Sequence, residues 1–289
     1  MADPSTSPRL TRASVVEAHK LIKPYIHHTP VLTNAALTTL ASTPRDPKDL
    51  AGTPWESRTP AKPKMRLWFK CENFQRVGAF KARGAFHAIE RLKLEPGWLA
   101  GGGAEKGVIT HSSGNHAQAL ALAARTNGIP AYIIMPSISA APKIAATKGY
   151  GANVIFSGST SVEREEVTAK VIEQTGARLV PPYDHPDIVL GQGTLGLELQ
   201  ADVRNLIGGE QTDRVTGETT LSVYRSSNKG LDAILAPCGG GGMLSGVALS
   251  CEGTGIRVFG AEPSFEGADD AKRGRFTHAT GDSSLGYNF

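Results

Sequence analysis

Between residues 107 and 182, short apolar runs alternate with longer stretches in which apolar residues recur every three or four positions. The short runs predict buried strands and the longer stretches predict helices. In chain order, strands are predicted at 108–112, 131–135, 153–156 and 178–180, and helices from Gly114, at 141–148 and at 161–175. Strands and helices that alternate at this spacing are typical of βαβ units and a parallel sheet. The predicted class is therefore α/β.

The helix predicted at 161–175 is amphipathic, with Glu and Arg on the face opposite its apolar residues. Four branched apolar side chains are predicted to share its buried face: Val162, Val167, Val171 and Ile172. Gly176 follows the last turn, which is the usual position of a helix-ending glycine.

A second unit of the same kind begins near residue 231. The pattern predicts a strand at 231–237, a glycine turn at 239–242, a helix at 243–250 and a strand at 256–261. Two polar stretches interrupt the order of elements. Residues 42–64 contain five prolines and predict an exposed, mobile insertion, and residues 206–229 predict a second surface excursion.

Composition narrows the class of protein. The 289 residues are 40% hydrophobic and 20% charged, which excludes global disorder. The net charge is +4 and the basic residues are scattered, so we expect no nucleic-acid partner. No apolar run is long enough for a membrane span, and the polar N-terminus is unlike a secretory signal. The three cysteines form no C-x-x-C pair, so we expect structural thiols and a cytoplasmic location.

Four consecutive glycines, Gly239 to Gly242, are the first candidate for chemistry. Alone, they would indicate a flexible linker. Here they follow an apolar strand and open a helix, so their backbone N–H groups can converge on an anion. The run matches neither a dinucleotide fingerprint nor a P-loop. It therefore predicts a phosphate cradle of another type.

Two further segments carry candidate chemistry. In VGAFKARGA (Val77–Ala85), Lys81 is either a functional amine or an ordinary surface lysine at a helix start. THSSGNHAQA (Thr110–Ala119) lies at a strand-to-helix turn, where the carboxyl ends of parallel strands bind ligands. The alternative for this second segment is a helix start capped by Ser113 or Asn115.

Together these segments resemble the pyridoxal-phosphate enzymes of the tryptophan-synthase-β fold type, in the branch of serine racemases and serine/threonine dehydratases. The resemblance covers the chain from about Leu10 to Arg275. Five motifs carry it in the family's order: ENFQRVGAFKARGA, THSSGNHAQAL, GQGTLGLEL, PCGGGGMLSG and GAEPSFEGADD.

The resemblance implies roles for individual residues. Lys81 would hold pyridoxal phosphate as a Schiff base, with Phe80 against the cofactor ring, and would act as the general base once freed. Asn115 would hydrogen-bond the ring hydroxyl. The cofactor phosphate would bind Gly239, Gly240, Gly241, Gly242 and Met243. The substrate carboxylate would enter the loop of Ser112, Ser113, Gly114, Asn115 and His116.

Ser113 bears on the type of reaction. Racemisation needs a proton donor on the face opposite the lysine, and the resemblance places Ser113 in that role. We therefore expect interconversion of L- and D-serine, with elimination from serine or threonine as a side activity. The alternatives are a threonine/serine dehydratase, a hydroxyaspartate ammonia-lyase, and a catalytically idle protein that only binds the cofactor.

The resemblance also implies a metal, an effector and an assembly. Mg²⁺ or Mn²⁺ would bind Glu262, the carbonyl of Ala268, and Asp270, with Asp269 as a competing ligand. From the residues alone, these acids indicate a solvated helix start. ATP would act as an effector near Gln118 and Tyr150, and members of the family are usually homodimers.

The expected domains are a larger one formed by 1–83 and 183–289 and a smaller βαβ one at 84–182. Family members continue beyond this C-terminus, and the residues after Asp270 are polar and predict a loose tail. We therefore expect the larger domain to be truncated, with weak cofactor binding unless a partner completes it.

Overall fold

A computed structural model describes residues 6–208, 210–212, 219–221, 230–263 and 271. The chain folds into two compact units. The larger unit comprises the residues up to His28 and from Glu72 onward, and the smaller unit is Thr29–Cys71. The predicted division at residues 84 and 182 stays a prediction.

A four-stranded parallel sheet organises the middle of the larger unit. Its strands are β3 (Val108–His111), β4 (Ala131–Pro136), β5 (Asn153–Ser157) and β6 (Arg178–Leu179), in the spatial order β5-β4-β3-β6. All three pairings are parallel. The predicted α/β class and the four predicted strands of this region are confirmed.

Three helices connect these strands, as βαβ units require: α5 (Asn115–Thr126), α6 (Ala141–Gly149) and α7 (Ser161–Thr175). Two others, α3 (Lys81–Leu94) and α4 (Gly103–Lys106), precede β3. Gly176 ends α7 with φ of 71°, as predicted. The predicted buried face is wrong for one residue, Val162, whose side chain is 64% exposed. It lies nine residues before Val171, which at 3.6 residues per turn is about half a turn away.

The main core lies between α3, α5 and the sheet. It contains Phe86, Ile89, Leu120 and Ile133, all fully buried. The long helix α8 (Pro186–Gly208) adds Ile188 to the same cluster. Since α3 begins at Lys81, this packing fixes the start of the helix that carries the candidate amine.

The second parallel unit follows α8. Strands β9 (Ala233–Pro237) and β10 (Arg257–Ala261) pair in parallel around α9 (Gly242–Ser250), as predicted. Before them, β7 (Glu210–Thr212) and β8 (Thr219–Leu221) form an antiparallel pair. Helix α1 (Arg12–Ile22) contributes Val15 and Ala18 to a cluster with Leu190 of α8.

The smaller unit is built on one antiparallel pair, β1 (Val31–Thr33) and β2 (Trp68–Lys70). Helix α2 (Ala35–Ser42) follows β1, and a 3₁₀ turn lies at Pro47–Leu50. The Met65 N–H donates to Ser42 Oγ across 3.1 Å and ties the ends of the proline-rich loop together. Most of residues 42–64 are exposed, as predicted, and Leu50 is the one residue among them that is buried.

Among the described residues, no helix is both long enough and apolar enough to cross a membrane.

Candidate active site

Lys81 is the first residue of α3, and its amine points at the protein backbone rather than at open solvent. Its Nζ donates to the carbonyl oxygen of Pro182 across 2.6 Å. Burial lowers the pKa of this amine from its ordinary value of 10.5 to about 8. Desolvation disfavours the charged form, so the structure favours the functional interpretation of Lys81 over that of a surface lysine.

Two aromatic rings flank the amine. The Lys81 Nζ lies 5.3 Å from the ring centroid of Phe80 and 5.9 Å from that of Tyr183. Tyr183 is not among the residues predicted for the site. Its position was nevertheless readable, because Tyr183 follows β6 within a few residues and so lies at the ligand-binding edge of the parallel sheet.

The loop before Lys81 is held in a strained conformation. Val77 has φ of 56°, which is rare for a β-branched residue. Buried Gln75 clamps the loop: its Oε1 accepts from the His27 N–H at 2.9 Å, and its Nε2 donates to the His27 carbonyl at 2.8 Å. Strain of this kind persists only where the surroundings enforce it, and it concentrates at functional sites.

A buried ion network anchors α3 two residues beyond the amine. Arg83 is fully buried and donates to both carboxylate oxygens of Glu72, at 2.8 and 2.9 Å. It also donates to both carboxylate oxygens of Glu198 on α8, each at 2.8 Å. The hydrogen bonds from Arg83 to the two carboxylates fix the first turn of α3 against α8 and thereby position Lys81.

The segment Ser112–His116 forms the turn from β3 into α5. Gly114 is the N-cap of α5 and no side chain caps the helix, so the alternative of a Ser113 or Asn115 cap is wrong. The Gly114 N–H instead donates to Ser112 Oγ at 3.3 Å. Asn115 is exposed, and in the described part of the chain the Ser113 hydroxyl has no hydrogen-bond partner. Both side chains are therefore available to a ligand.

His116 differs from its neighbours because its imidazole is buried. Its Nε2 lies 3.2 Å from the carbonyl oxygen of Val180, and its Nδ1 has no partner within the described structure. Burial, and then the charge on Lys81, lower the pKa of His116 to about 3. The ring is neutral at pH 7, and with Nε2–H donating to Val180 its Nδ1 is an unused acceptor close to Lys81.

The glycine turn lies where the sequence predicted, between β9 and α9. Gly241 is the N-cap of α9, with φ of 78° that favours glycine. A Cβ on Gly240 would collide with the ring of Tyr183, and one on Gly242 with the Tyr183 carbonyl. Tyr183 thus contacts both the glycine turn and the surroundings of Lys81.

The outer side of this turn is open. A Cβ added to Gly239 would meet no atom within 4 Å. Among the described residues, no acceptor takes the N–H of Gly239 or Gly240, whereas the Gly242 N–H donates to the Gly240 carbonyl at 3.0 Å. Free N–H donors beside open space suit a phosphate dianion. The donor set therefore fits the phosphate of a pyridine-ring cofactor.

The predicted metal site stays a prediction, because Glu262 is its one ligand among the described residues. Glu262 Oε1 accepts from the Ala271 N–H at 3.0 Å. Ala268, Asp269 and Asp270 lie outside the described residues, as does the predicted tail from residue 272. The described residues contain no group of three or more His, Cys, Asp or Glu side chains that could hold a metal ion.

The chain is an α/β protein with a desolvated lysine beside a glycine turn whose outer side is open. Residues 49–284 match the model of the family described as "Pyridoxal-phosphate dependent enzyme". The chain belongs to this family.

Individual relatives are more specific. The chain is 39% identical over 264 residues to a serine racemase of Arabidopsis thaliana, covering 91% of this chain and 63% of that protein. It is 37% identical over 272 residues to the L-threo-3-hydroxyaspartate ammonia-lyase of Saccharomyces cerevisiae, covering 93% of this chain and 67% of that protein. The structure of maize serine racemase superposes with a TM-score of 0.70 at 35% identity, covering 94% of this chain and 65% of that one. The chain thus spans about two thirds of each relative's length.

Proposed function

We propose that this chain interconverts L- and D-serine and also eliminates the β-hydroxyl of serine or threonine to give a 2-oxo acid and ammonia. The observation that carries the proposal is the amine of Lys81, whose pKa burial lowers to about 8. The similarity to serine racemases supports the choice of substrate.

The first group of residues in the proposed site binds the cofactor. The N–H groups of Gly239–Gly242, with Met243 after them, would hold the cofactor phosphate. Phe80 would lie against the cofactor ring, and Asn115 would hydrogen-bond the ring hydroxyl. When bound, pyridoxal phosphate supplies an electron sink that acidifies the Cα proton of an amino acid.

Proton transfer falls to two side chains of this chain. The Nζ of Lys81, with a pKa close to neutral, accepts the Cα proton and returns it. Ser113 Oγ, which has no partner among the described residues, delivers a proton to the opposite face of the same carbon. The N–H groups of Ser112–His116 hold the substrate carboxylate. When the β-hydroxyl instead takes up a proton and leaves as water, hydrolysis then yields pyruvate and ammonia from serine.

The experiment is a product assay on the full chain with pyridoxal phosphate and L-serine. D-serine is measured by chiral chromatography and pyruvate by coupled reduction, with Lys81→Ala as the matched variant. The proposal expects both products from the wild type and neither from Lys81→Ala. Binding of the cofactor without either product would contradict it and would support the idle, cofactor-binding alternative.

A second candidate is a hydroxyaspartate ammonia-lyase, because the yeast relative carries that name. A threonine/serine dehydratase is the third. The same assay with L-serine, L-threonine and L-threo-3-hydroxyaspartate at equal concentrations separates the three by their relative kcat/KM. A preference for hydroxyaspartate of tenfold or more, without D-serine formation, would replace our first assignment.

The proposal further includes a divalent metal, an effector and a homodimer, all on the strength of the family resemblance. Mg²⁺ or Mn²⁺ would bind Glu262, Ala268 and Asp270, and ATP would bind near Gln118 and Tyr150. Activity before and after chelation, activity with and without ATP, and sedimentation velocity test the three separately.

A further inference from the structure

A cavity of about 900 Å³ lies within the smaller unit, Thr29–Cys71. Its walls come from the end of α2 and from the proline-rich loop that follows, and most of them are apolar, including Leu40, Leu50, Pro44, Pro60 and Pro63. Cavities of this size accommodate small organic molecules. None of the lining residues belongs to the site around Lys81.

Two arginines, Arg45 and Arg58, also line the cavity. Neither makes an ion pair or a side-chain hydrogen bond in the described part of the chain. The carboxylate that lines the cavity, Asp49, accepts from the Asp46 N–H at 3.2 Å within the capping box of the 3₁₀ turn. The charged lining residues are therefore two arginines and one aspartate, a net positive charge beside apolar walls.

The charge of the sequence points the same way. Residues 29–71 contain seven Lys or Arg and three Asp or Glu, an excess of four positive charges. This equals the net charge of the whole chain, so the remaining residues are balanced, with 24 of each sign. Although basic residues are scattered, their excess is confined to the unit that holds the cavity, which favours an anionic ligand.

Trp55 supplies a third feature. It lines the cavity and remains 57% exposed. Local hydrogen bonds fix its backbone: the Trp55 N–H donates to Thr53 Oγ1 at 3.2 Å, and the Arg58 N–H donates to the Trp55 carbonyl at 2.9 Å. Trp55 and Arg58 are therefore held within one turn, and the exposed Trp55 indole lies three residues from the Arg58 guanidinium in the chain.

We propose that this cavity binds a small aromatic anion, a flat ring that carries a phosphate or carboxylate group. Arginine forks match the geometry of both anions, and an exposed indole offers a surface for stacking. An inorganic anion would leave the apolar walls and Trp55 unused. A neutral ring would leave both arginines unused.

The test titrates phenyl phosphate by isothermal titration calorimetry into the full chain, loaded with pyridoxal phosphate and desalted. Phenylacetate, inorganic phosphate and phenol serve as comparators. The test variant is Arg45→Gln/Arg58→Gln. The matched control, Lys62→Gln/Lys64→Gln, removes the same charge from the same loop, but neither lysine lines the cavity.

We expect one-site binding of phenyl phosphate that weakens at least about tenfold in Arg45→Gln/Arg58→Gln and in Trp55→Ala, and less than about twofold in the lysine control. Phenylacetate should bind the same site, whereas inorganic phosphate and phenol should each bind at least about tenfold more weakly than phenyl phosphate. Wild-type affinity in the arginine variant, an equal loss in the lysine control, or inorganic phosphate as tight as phenyl phosphate would each overturn the proposal. Because all three target side chains are exposed, unchanged melting temperatures should accompany these results.

Discussion

The amine of Lys81 donates to the carbonyl oxygen of Pro182, which lies 101 residues further along the chain. The contact joins the first turn of α3 to the segment that leaves β6, at the carboxyl edge of the parallel sheet. The adjacent residue, Tyr183, packs on the glycine turn. One short segment thus brings the lysine and the candidate phosphate site together.

The lowered pKa of Lys81 predicts how cofactor attachment depends on pH. Only the neutral amine is nucleophilic, so the attachment rate should rise about tenfold per pH unit up to a pH of about 8 and then level off. Stopped-flow absorbance at fixed pyridoxal phosphate, between about pH 6.5 and pH 9.5, measures this rate. A rise that continues through about pH 9.5 would show an ordinary, solvated lysine.

The open side of the glycine turn predicts a selective effect of Gly239→Ala. The added methyl group meets no protein atom, so the melting temperature should stay unchanged. It would occupy the space assigned to the phosphate, so the affinity for pyridoxal phosphate should fall at least about tenfold.

Gly149→Ala is the matched control for Gly239→Ala. Gly149 is also unobstructed within 4 Å but lies at the end of α6. This variant should keep both the melting temperature and the cofactor affinity. Equal affinities of the two variants for pyridoxal phosphate would show that the cofactor phosphate does not bind beside Gly239.

The buried network around Arg83 predicts a large loss of stability in Arg83→Ala. Removal of the guanidinium takes two hydrogen bonds and a fixed positive charge from Glu198, whose side chain is 2% exposed and which keeps its contact with His19 Nε2 at 3.2 Å. The free energy of unfolding should fall by about 3–5 kcal/mol in urea titrations. Lys20→Ala, which breaks an exposed pair with Glu17, should leave it unchanged. Similar small losses in both variants would show that the network does not hold α3.

The unpartnered hydroxyl of Ser113 predicts a split between the two proposed reactions. In Ser113→Ala, D-serine formation should drop at least about a hundredfold, whereas pyruvate formation should persist, because elimination needs the proton acceptor at Lys81. Both products are measured from the same incubation. Survival of D-serine formation together with a loss of pyruvate would show that Ser113 is not the second proton carrier.

The sequence predicted the parallel units because their strands are short apolar runs separated by helices that glycines end. The helix at 161–175 was predicted with its bounds intact, including Gly176. Val162 was misassigned because its spacing from Val171 was read as a shared face, although nine residues carry a helix to its opposite side.

Contacts between distant segments were harder to predict. The motif around Lys81 was visible, but the burial of Arg83 was not, because its partner Glu198 lies 115 residues away. Tyr183 has no sequence signature of its own, and its place beside Lys81 follows from the sheet order. The net charge of the whole chain, +4, did not indicate that the excess of positive charge lies in the smaller unit, which holds the cavity.

The most direct test of the central claim is the visible absorption of the full chain after incubation with pyridoxal phosphate and desalting. We predict a retained band from lysine-bound cofactor that is absent in Lys81→Ala and present in Lys20→Ala. A folded wild-type chain without the band, or a band of equal size in Lys81→Ala, would contradict the assignment of Lys81 and of the site built around it.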